Sequence, residues 1–248
     1  MDDTAVLVGE AFSPWTLKAR WALDHCGVGY RYREYTPGIS EPWLRWRLGQ
    51  WRRPVSVPVL LTRERAIQGS WKIAEHAARC AGDARLGEFA DIQAWDDISE
   101  RGLAAARTRV VRAVLADGRA LDESVPFLPA RGRFLLRPVA RRVARRLDRK
   151  YAHLAFRDAH RDALLELRQG LARSGTGYVL KRFGYADITL SVLLEAVVPT
   201  SGPEALGPAQ RACWHDAALA REFRDLLDWR AGLHRMHGVH ASRSEASG

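Results

Sequence analysis

Residues 5–35 read AVLVGEAFSPWTLKARWALDHCGVGYRYREY, and the fold turns on how this stretch divides. Ala5 to Val8 is an unbroken apolar run of the length of a buried strand. Ser13-Pro14 marks a helix start. A small hydroxyl suits the N-cap, and a proline follows where its missing N–H costs nothing. Leu17, Trp21 and Leu23 recur near helical spacing through residues 14–26, and Gly27 suits the left-handed turn that closes a helix. Tyr30 to Tyr35 then alternates as a second strand. The stretch is a β-α-β unit whose helix begins where the first strand ends.

Working outward, residues 37–53 are rich in Trp and Arg and read as a loop whose Trp43, Trp46 and Trp51 either cover apolar surface or line a cleft, core packing being the expected role. Val57 to Thr62 and Ala66 to Gln68 read as a hairpin around Arg63-Glu64-Arg65, with a helix from Ser70 to about Arg79 and a linker from Gly82-Asp83. A long amphipathic helix is expected from Glu88 to Asp117, carrying Trp95, Ile98, Leu103 and Val110 among its apolar positions, and Gly118 ends it. Residues 119–137 read as irregular. Pro138 opens a helix in which Val139, Val143 and Leu147 form one stripe and Arg141, Arg142, Arg145 and Arg146 lie opposite. Further helices are expected over 160–173, 188–198 and 209–236, and the Ser-, Ala- and Gly-rich tail 237–248 as disordered.

The 248 residues are 47% hydrophobic, which suits a packed core, and no apolar run is long enough to cross a bilayer. A soluble, cytoplasmic protein is expected. The formal charge of +10 would ordinarily point to nucleic acid or an anionic membrane. Yet the cations are almost all arginine, only Lys18, Lys72, Lys150 and Lys181 being lysine, and no nucleic-acid-binding motif accompanies them. Neither nucleic acid nor membrane is the expected partner. Cys26, Cys80 and Cys213 are odd in number and far apart, so they read as three buried thiols and not as a disulfide framework or a metal site.

Three motifs in order, Phe12-Ser13-Pro14-Trp15, Val57-Pro58-Val59-Leu60 and Gly184-Tyr185-Ala186-Asp187-Ile188, carry a resemblance to the cytosolic-type glutathione transferases. The resemblance is to a serine-type, bacterial-like member with a basic insertion. It implies an α/β thioredoxin-like N-terminal domain over 1–81, followed by an all-α C-terminal domain over 88–236 with an Arg-rich insertion at 118–150. It also implies glutathione as co-substrate, no metal, a role in detoxification and a homodimer. Ser13 would be the catalytic group, holding the glutathione sulfur as a thiolate with its hydroxyl and the helix N-terminus. Val57-Pro58 matches the family's cis-proline dipeptide, which lets the Val57 backbone pair with glutathione as an added strand would. Ser70, expected as an N-cap, would meet the γ-glutamyl carboxylate. Gly69 stands where the family has an acidic residue, so Gln68 would have to compensate. Ser56 replaces a lysine, leaving Arg53 or its neighbour Arg52 for the glycyl carboxylate.

Trp15, Trp95 and Ile98 are the expected walls of a pocket for a small hydrophobic electrophile. Asp187 is the structural cap of a buried helix, reaching back to a backbone N–H, while Gly184 has no hydroxyl to complete the box. The reaction would be thiolate attack on the electrophile or a glutathione-dependent isomerisation. The alternative is a catalytically inactive, transferase-like binding or regulatory protein.

Overall fold

The computed structural model describes residues 4–52, 54–82, 85–124, 138, 141, 142, 145, 158–200 and 205–238. The chain forms β1 (Ala5–Gly9), α1 (Pro14–His25), β2 (Tyr30–Glu34), α2 (Glu41–Leu48), β3 (Val59–Leu61), β4 (Ala66–Gln68) and α3 (Ser70–Ala81). The strands make one sheet in the order β2-β1-β3-β4. β1 and β2 are parallel, as the helical crossover between them requires, while β1–β3 and β3–β4 are antiparallel. This is a thioredoxin-like domain with a mixed four-stranded sheet.

Period-2 alternation divides its core. Val8, Val59 and Leu61 gather on one face with Leu44 of α2, and Val6, Trp43 and Leu48 pack around them. Leu7, Leu60 and Ile67 are buried between these positions and point to the other face. α3 lies against β3 and β4, and α1 against α3.

Helix α2 occupies residues read from sequence as loop. Its Arg45 meets Glu41 at 2.7 Å one turn earlier, and its Leu44 is wholly buried. Tertiary burial of that single leucine stripe outweighs a weak local pattern. The tryptophans divide accordingly. Trp43 is half-buried with the Arg33 guanidinium 3.7 Å above its ring, whereas Trp46 and Trp51 are 63% and 62% exposed, contrary to a core role. Of the cysteines, Cys26 and Cys213 are buried, but Cys80 is exposed at the end of α3.

The first compact unit comprises the chain up to Ile92 together with Phe183–Ile188 and the chain from Gly232. The later segments, read from sequence as parts of the helical domain, are held by specific contacts. The Trp21 indole N–H donates to the His237 carbonyl at 3.0 Å, and its ring stacks on His234. Phe183 stacks on His237 with centroids 3.9 Å apart. Tyr185 packs among Trp71 and Phe89 and donates its backbone N–H to the Leu86 carbonyl at 2.8 Å. Asp187, fully buried, accepts from the Gly184 N–H at 3.0 Å. Gly184 itself lies so close to the chain that a Cβ there would stand 2.7 Å from the Leu86 carbonyl oxygen. This is why no hydroxyl-bearing residue occupies the position.

The second unit, Gln93–Arg182 with Thr189–Ala231, is helical. Across both units run α4 (Phe89–Ala116), α5 (Gly118–Glu123), α6 (Ala159–Ser174), α7 (Tyr185–Ser191) continued by a 3-10 turn Val192–Ala196, α8 (Pro208–Trp214), α9 (Ala217–Glu222) and α10 (Arg224–His237). The expected single closing helix over 209–236 is three helices, because Asp216 leaves helical geometry and caps α9 by accepting from Ala218 and Leu219 N–H. The interior carries a buried polar network. Arg230 meets Glu195 at 3.0 Å and donates to the Val198 carbonyl, while Glu195 also accepts from Thr200. Arg109 gathers the carbonyls of Ala196 and Trp214, and Thr189 donates to Asp96. Among the described residues no helix is long and apolar enough to cross a membrane. Most of the insertion 118–150, and the tail beyond Gly238, lie outside the described residues.

Two predictions follow from this packing. Gly184→Ser would complete the capping box on paper, yet it is expected to destabilise by about 1–3 kcal/mol through overpacking against Leu86, measured as a lower urea midpoint. His160 is buried with Nε2 2.9 Å from the Leu193 carbonyl, so it donates there as a neutral ring, and burial lowers its pKa to about 4. Its folded pKa lies below the unfolded value, so the stability it permits is complete above about pH 6.5. That stability falls by about 1.4 kcal/mol per unit as pH drops toward 4. Urea unfolding at a series of pH values should show this slope, and His160→Gln should flatten it.

Candidate functional site

The sheet register assembles the candidate site. Val8 pairs with Val59 and Val59 with Gln68, so the exit of β1, the entry of β3 and the exit of β4 share one edge of the sheet. Ser13, Val57-Pro58 and Gln68-Gly69-Ser70 therefore come to the same edge, although 57 residue positions separate the first from the last. Both α1 and α3, each of 12 residues, begin there. Two helix N-termini place first-turn backbone N–H groups and positive dipole ends along one side of the domain.

Ser13 stands at the N-cap of α1 with extended backbone (φ −71°, ψ 126°), and its carbonyl accepts the first helical bond from Leu17 N–H at 2.9 Å. Its side chain makes no capping hydrogen bond, although an N-cap serine ordinarily would. The hydroxyl is 7% exposed as part of the residue and is not engaged by the helix it introduces. Pro14 has no N–H to offer, so the donors of the first turn begin at Trp15.

The Val57–Pro58 peptide bond is cis. Val57 is half-buried, and among the described residues its N–H and C=O enter no hydrogen bond. Next to it, the Pro58 carbonyl accepts from Gly69 N–H at 3.0 Å, which ties the entry of β3 to the start of α3.

Ser70 is the first residue of α3 and is buried, while Gly69, not Ser70, occupies the N-cap: its carbonyl accepts from Ile73 N–H at 3.1 Å. The reason is conformational. Gly69 adopts φ 91° and ψ 143°, a region that residues with a Cβ rarely enter. An acidic side chain in its place would meet no steric obstacle but would carry that strain. Gln68 is half-buried at the end of β4. Arg53 lies outside the described residues, and Arg52 and Ser56 are exposed.

Trp15 is half-buried in the first unit. Trp95 and Ile98 belong to the second unit, where the Trp95 ring covers Gly170 so closely that a Cβ there would meet it at 2.5 Å. Among the described residues, no group of three or more His, Cys, Asp or Glu side chains could hold a metal ion.

Two residues that shape the approach to Ser13 were not singled out in the sequence. Glu34 Oε1 accepts from Ala11 N–H at 3.2 Å, and Tyr32 Oη lies 2.7 Å from the Gly9 carbonyl and 2.6 Å from Glu34 Oε2. The single phenolic proton serves one of these acceptors at a time. Burial, reinforced by the Glu34 carboxylate, raises the Tyr32 pKa far above the ordinary phenol value, so the ring stays protonated. Together they fix the loop 10–12 that delivers Ser13. The signal was present in β2, where Tyr32 and Glu34 alternate onto the same face.

Residues 12–80 match the family model of the glutathione S-transferase N-terminal domain. No curated protein matches the chain. Among solved structures, a glutathione S-transferase of Ceriporiopsis subvermispora in complex with glutathione is 17% identical, with 96% of this chain and 99% of that one covered and a TM-score of 0.61. A glutathione transferase of Phanerochaete chrysosporium is 17% identical over 91% and 97% of the chains, with a TM-score of 0.54. A rice glutathione S-transferase in complex with glutathione is 19% identical over 98% and 94%, also at 0.54. The chain shares their fold, a thioredoxin-like domain joined to a helical part.

Because Gly69 is held at positive φ in open surroundings, Gly69→Ala isolates the backbone effect. It is expected to lower stability by roughly 1–3 kcal/mol, read from urea unfolding. An unchanged midpoint would show that the turn relaxes without cost.

Proposed function

We propose that the protein is a glutathione transferase that holds glutathione along the edge formed by Ser13, Val57-Pro58 and Gln68–Ser70. The observation that carries this reading is the Ser13 hydroxyl, which stands at a helix N-terminus without serving as its cap.

A free thiol has a pKa of about 8.5, and each unit of depression corresponds to about 1.4 kcal/mol of preference for the anion. Ser13 can donate a charge-assisted hydrogen bond to the glutathione sulfur, and the α1 N-terminus adds a positive electrostatic end. Serine in this role stabilises the nucleophile without becoming it. The backbone of Val57, which enters no hydrogen bond among the described residues, can exchange hydrogen bonds with the cysteinyl unit, and the first turn of α3 at Ser70 offers N–H donors to the γ-glutamyl carboxylate. The thiolate would then attack a small hydrophobic electrophile or drive an isomerisation. Catalysis would come from orientation and electrostatic preorganisation. The family resemblance adds a homodimer and a cytoplasmic setting.

A second reading, a transferase-like binding protein without catalysis, is favoured by one observation. Gly69 removes the carboxylate that would meet the ligand's ammonium, and its backbone does not readily accept a replacement. Calorimetric titration with glutathione and conjugation of a generic aryl halide separate the two. Binding with turnover supports the enzyme, and absence of both in folded protein supports the binding module. For the enzyme, Ser13→Ala should cut turnover by roughly 10- to 100-fold, the equivalent of one hydrogen bond to a charged group, while thermal unfolding stays nearly unchanged. Full turnover in that variant would remove Ser13 from the chemistry.

A further inference from the structure

At the opposite edge of the same sheet lies chemistry that the thiolate site does not use. Thr4 leads into β1 here, the turn between β3 and β4 reverses the chain, and α3 has advanced six residues beyond Ser70, about 9 Å along its axis. Thr4, Gly29, Thr62, Arg63, Glu64 and His76 line a shallow, open cleft of about 630 Å³. One turn beyond His76, Cys80 Sγ lies 3.5 Å from His76 Nε2. Cys80 is the exposed member of the three cysteines.

We propose that Cys80 and His76 form a thiol–disulfide exchange site that accepts an anionic low-molecular-weight disulfide of the glutathione type. The geometry pairs a nucleophile with a base at hydrogen-bonding distance, and both are reachable from solvent. The groups acting on the imidazole are known. Burial lowers the His76 pKa, the Arg79 and Arg65 charges lower it further, and Glu64 opposes them. His76 is consequently neutral near pH 7 and can accept the Cys80 proton. Arg63 in the cleft wall, with Arg65 and Arg79 close by, outweighs Glu64 and gives the surroundings a positive balance suited to a disulfide bearing carboxylates.

The exchange balances within these groups. The Cys80 S–H proton passes to His76 Nε2, and the thiolate attacks one sulfur of the disulfide. The S–S bond breaks as a new one forms to Cys80, and the departing thiolate takes the proton back from the imidazolium. Cys80 is oxidised, half of the incoming disulfide is reduced, and the imidazole returns to neutral. The site is independent of Ser13, and Ser13→Ala leaves it intact.

The test exposes the whole, pre-reduced protein to excess oxidised glutathione and follows intact mass and peptide mapping. One glutathionyl adduct on Cys80 is expected, reversed by a dithiol and lost in Cys80→Ser. No adduct, or an adduct confined to Cys26 or Cys213 in folded protein, overturns the proposal. His76→Gln should slow the reaction at pH 7 by roughly tenfold or more, the low end or below of general-base effects; an unchanged rate would reduce Cys80 to an ordinary exposed thiol. The wild-type protein gives a second readout that needs no variant. Between pH 6.5 and 8.5 the rate should flatten, whereas an unassisted thiol below its pKa loses about tenfold per unit, and that steeper profile would also overturn the pairing. A neutral disulfide, bis(2-hydroxyethyl) disulfide, should react more slowly than oxidised glutathione at low salt, and equal rates would overturn the choice of an anionic ligand.

Discussion

The pairing of β3 between β1 and β4 is the constraint on which the rest depends. Because Val8 faces Val59 and Val59 faces Gln68, three chain segments distant in sequence end at one edge. A slip of one residue would exchange the two buried faces of β3, sending Val59 and Leu61 to the side that Leu60 fills and Leu60 to theirs, so the packing that buries both faces of the sheet also aligns the site. Stability and candidate chemistry thus share one cause. The same register sends the other ends of these strands to the opposite edge, where Arg63, His76 and Cys80 gather.

What the sequence disclosed follows from how local each signal is. Ser13-Pro14 announces α1 through capping chemistry that needs only neighbouring residues, and the apolar run and alternation on either side of it give the parallel β1–β2 pair. Val57-Pro58 and Ser70 could be placed by spacing. Their meeting is a long-range fact, visible only through β3. Where the sequence misled, a distant partner decided. Leu44 makes α2 a helix by reaching the core of Val8, Val59 and Leu61. Asp216 breaks the closing helix by capping α9. Gly69 takes the N-cap from Ser70 because only its backbone fits the turn. The alternation of β2 puts Tyr32 and Glu34 on one face, but the bond from Ala11 N–H to Glu34 exists only once the loop 10–12 folds against that strand.

The buried polar groups follow a common rule. Glu195, Arg230, Asp96, Thr189 and His160 all lie inside the helical unit with named partners, and several of those partners are carbonyls at helix ends or in the 3-10 turn. Interrupted helices leave orphan carbonyls, and long basic side chains such as Arg109 and Arg230 satisfy them at a distance. The many short helices of this unit and the arginines that reach their carbonyls are two aspects of one arrangement.

The return of the last helix to the first unit bears on how the molecule is made. Trp21 is delivered early by the ribosome, but its partners His234 and His237 are almost the last described residues to be translated. A nascent chain that has released residues 1–92 therefore carries a sheet whose first helix still lacks its C-terminal cover. That surface must wait, exposed or chaperoned, through the synthesis of some 140 further residues. Completion of the first unit waits for residues 234 and 237, long after its sheet has been made.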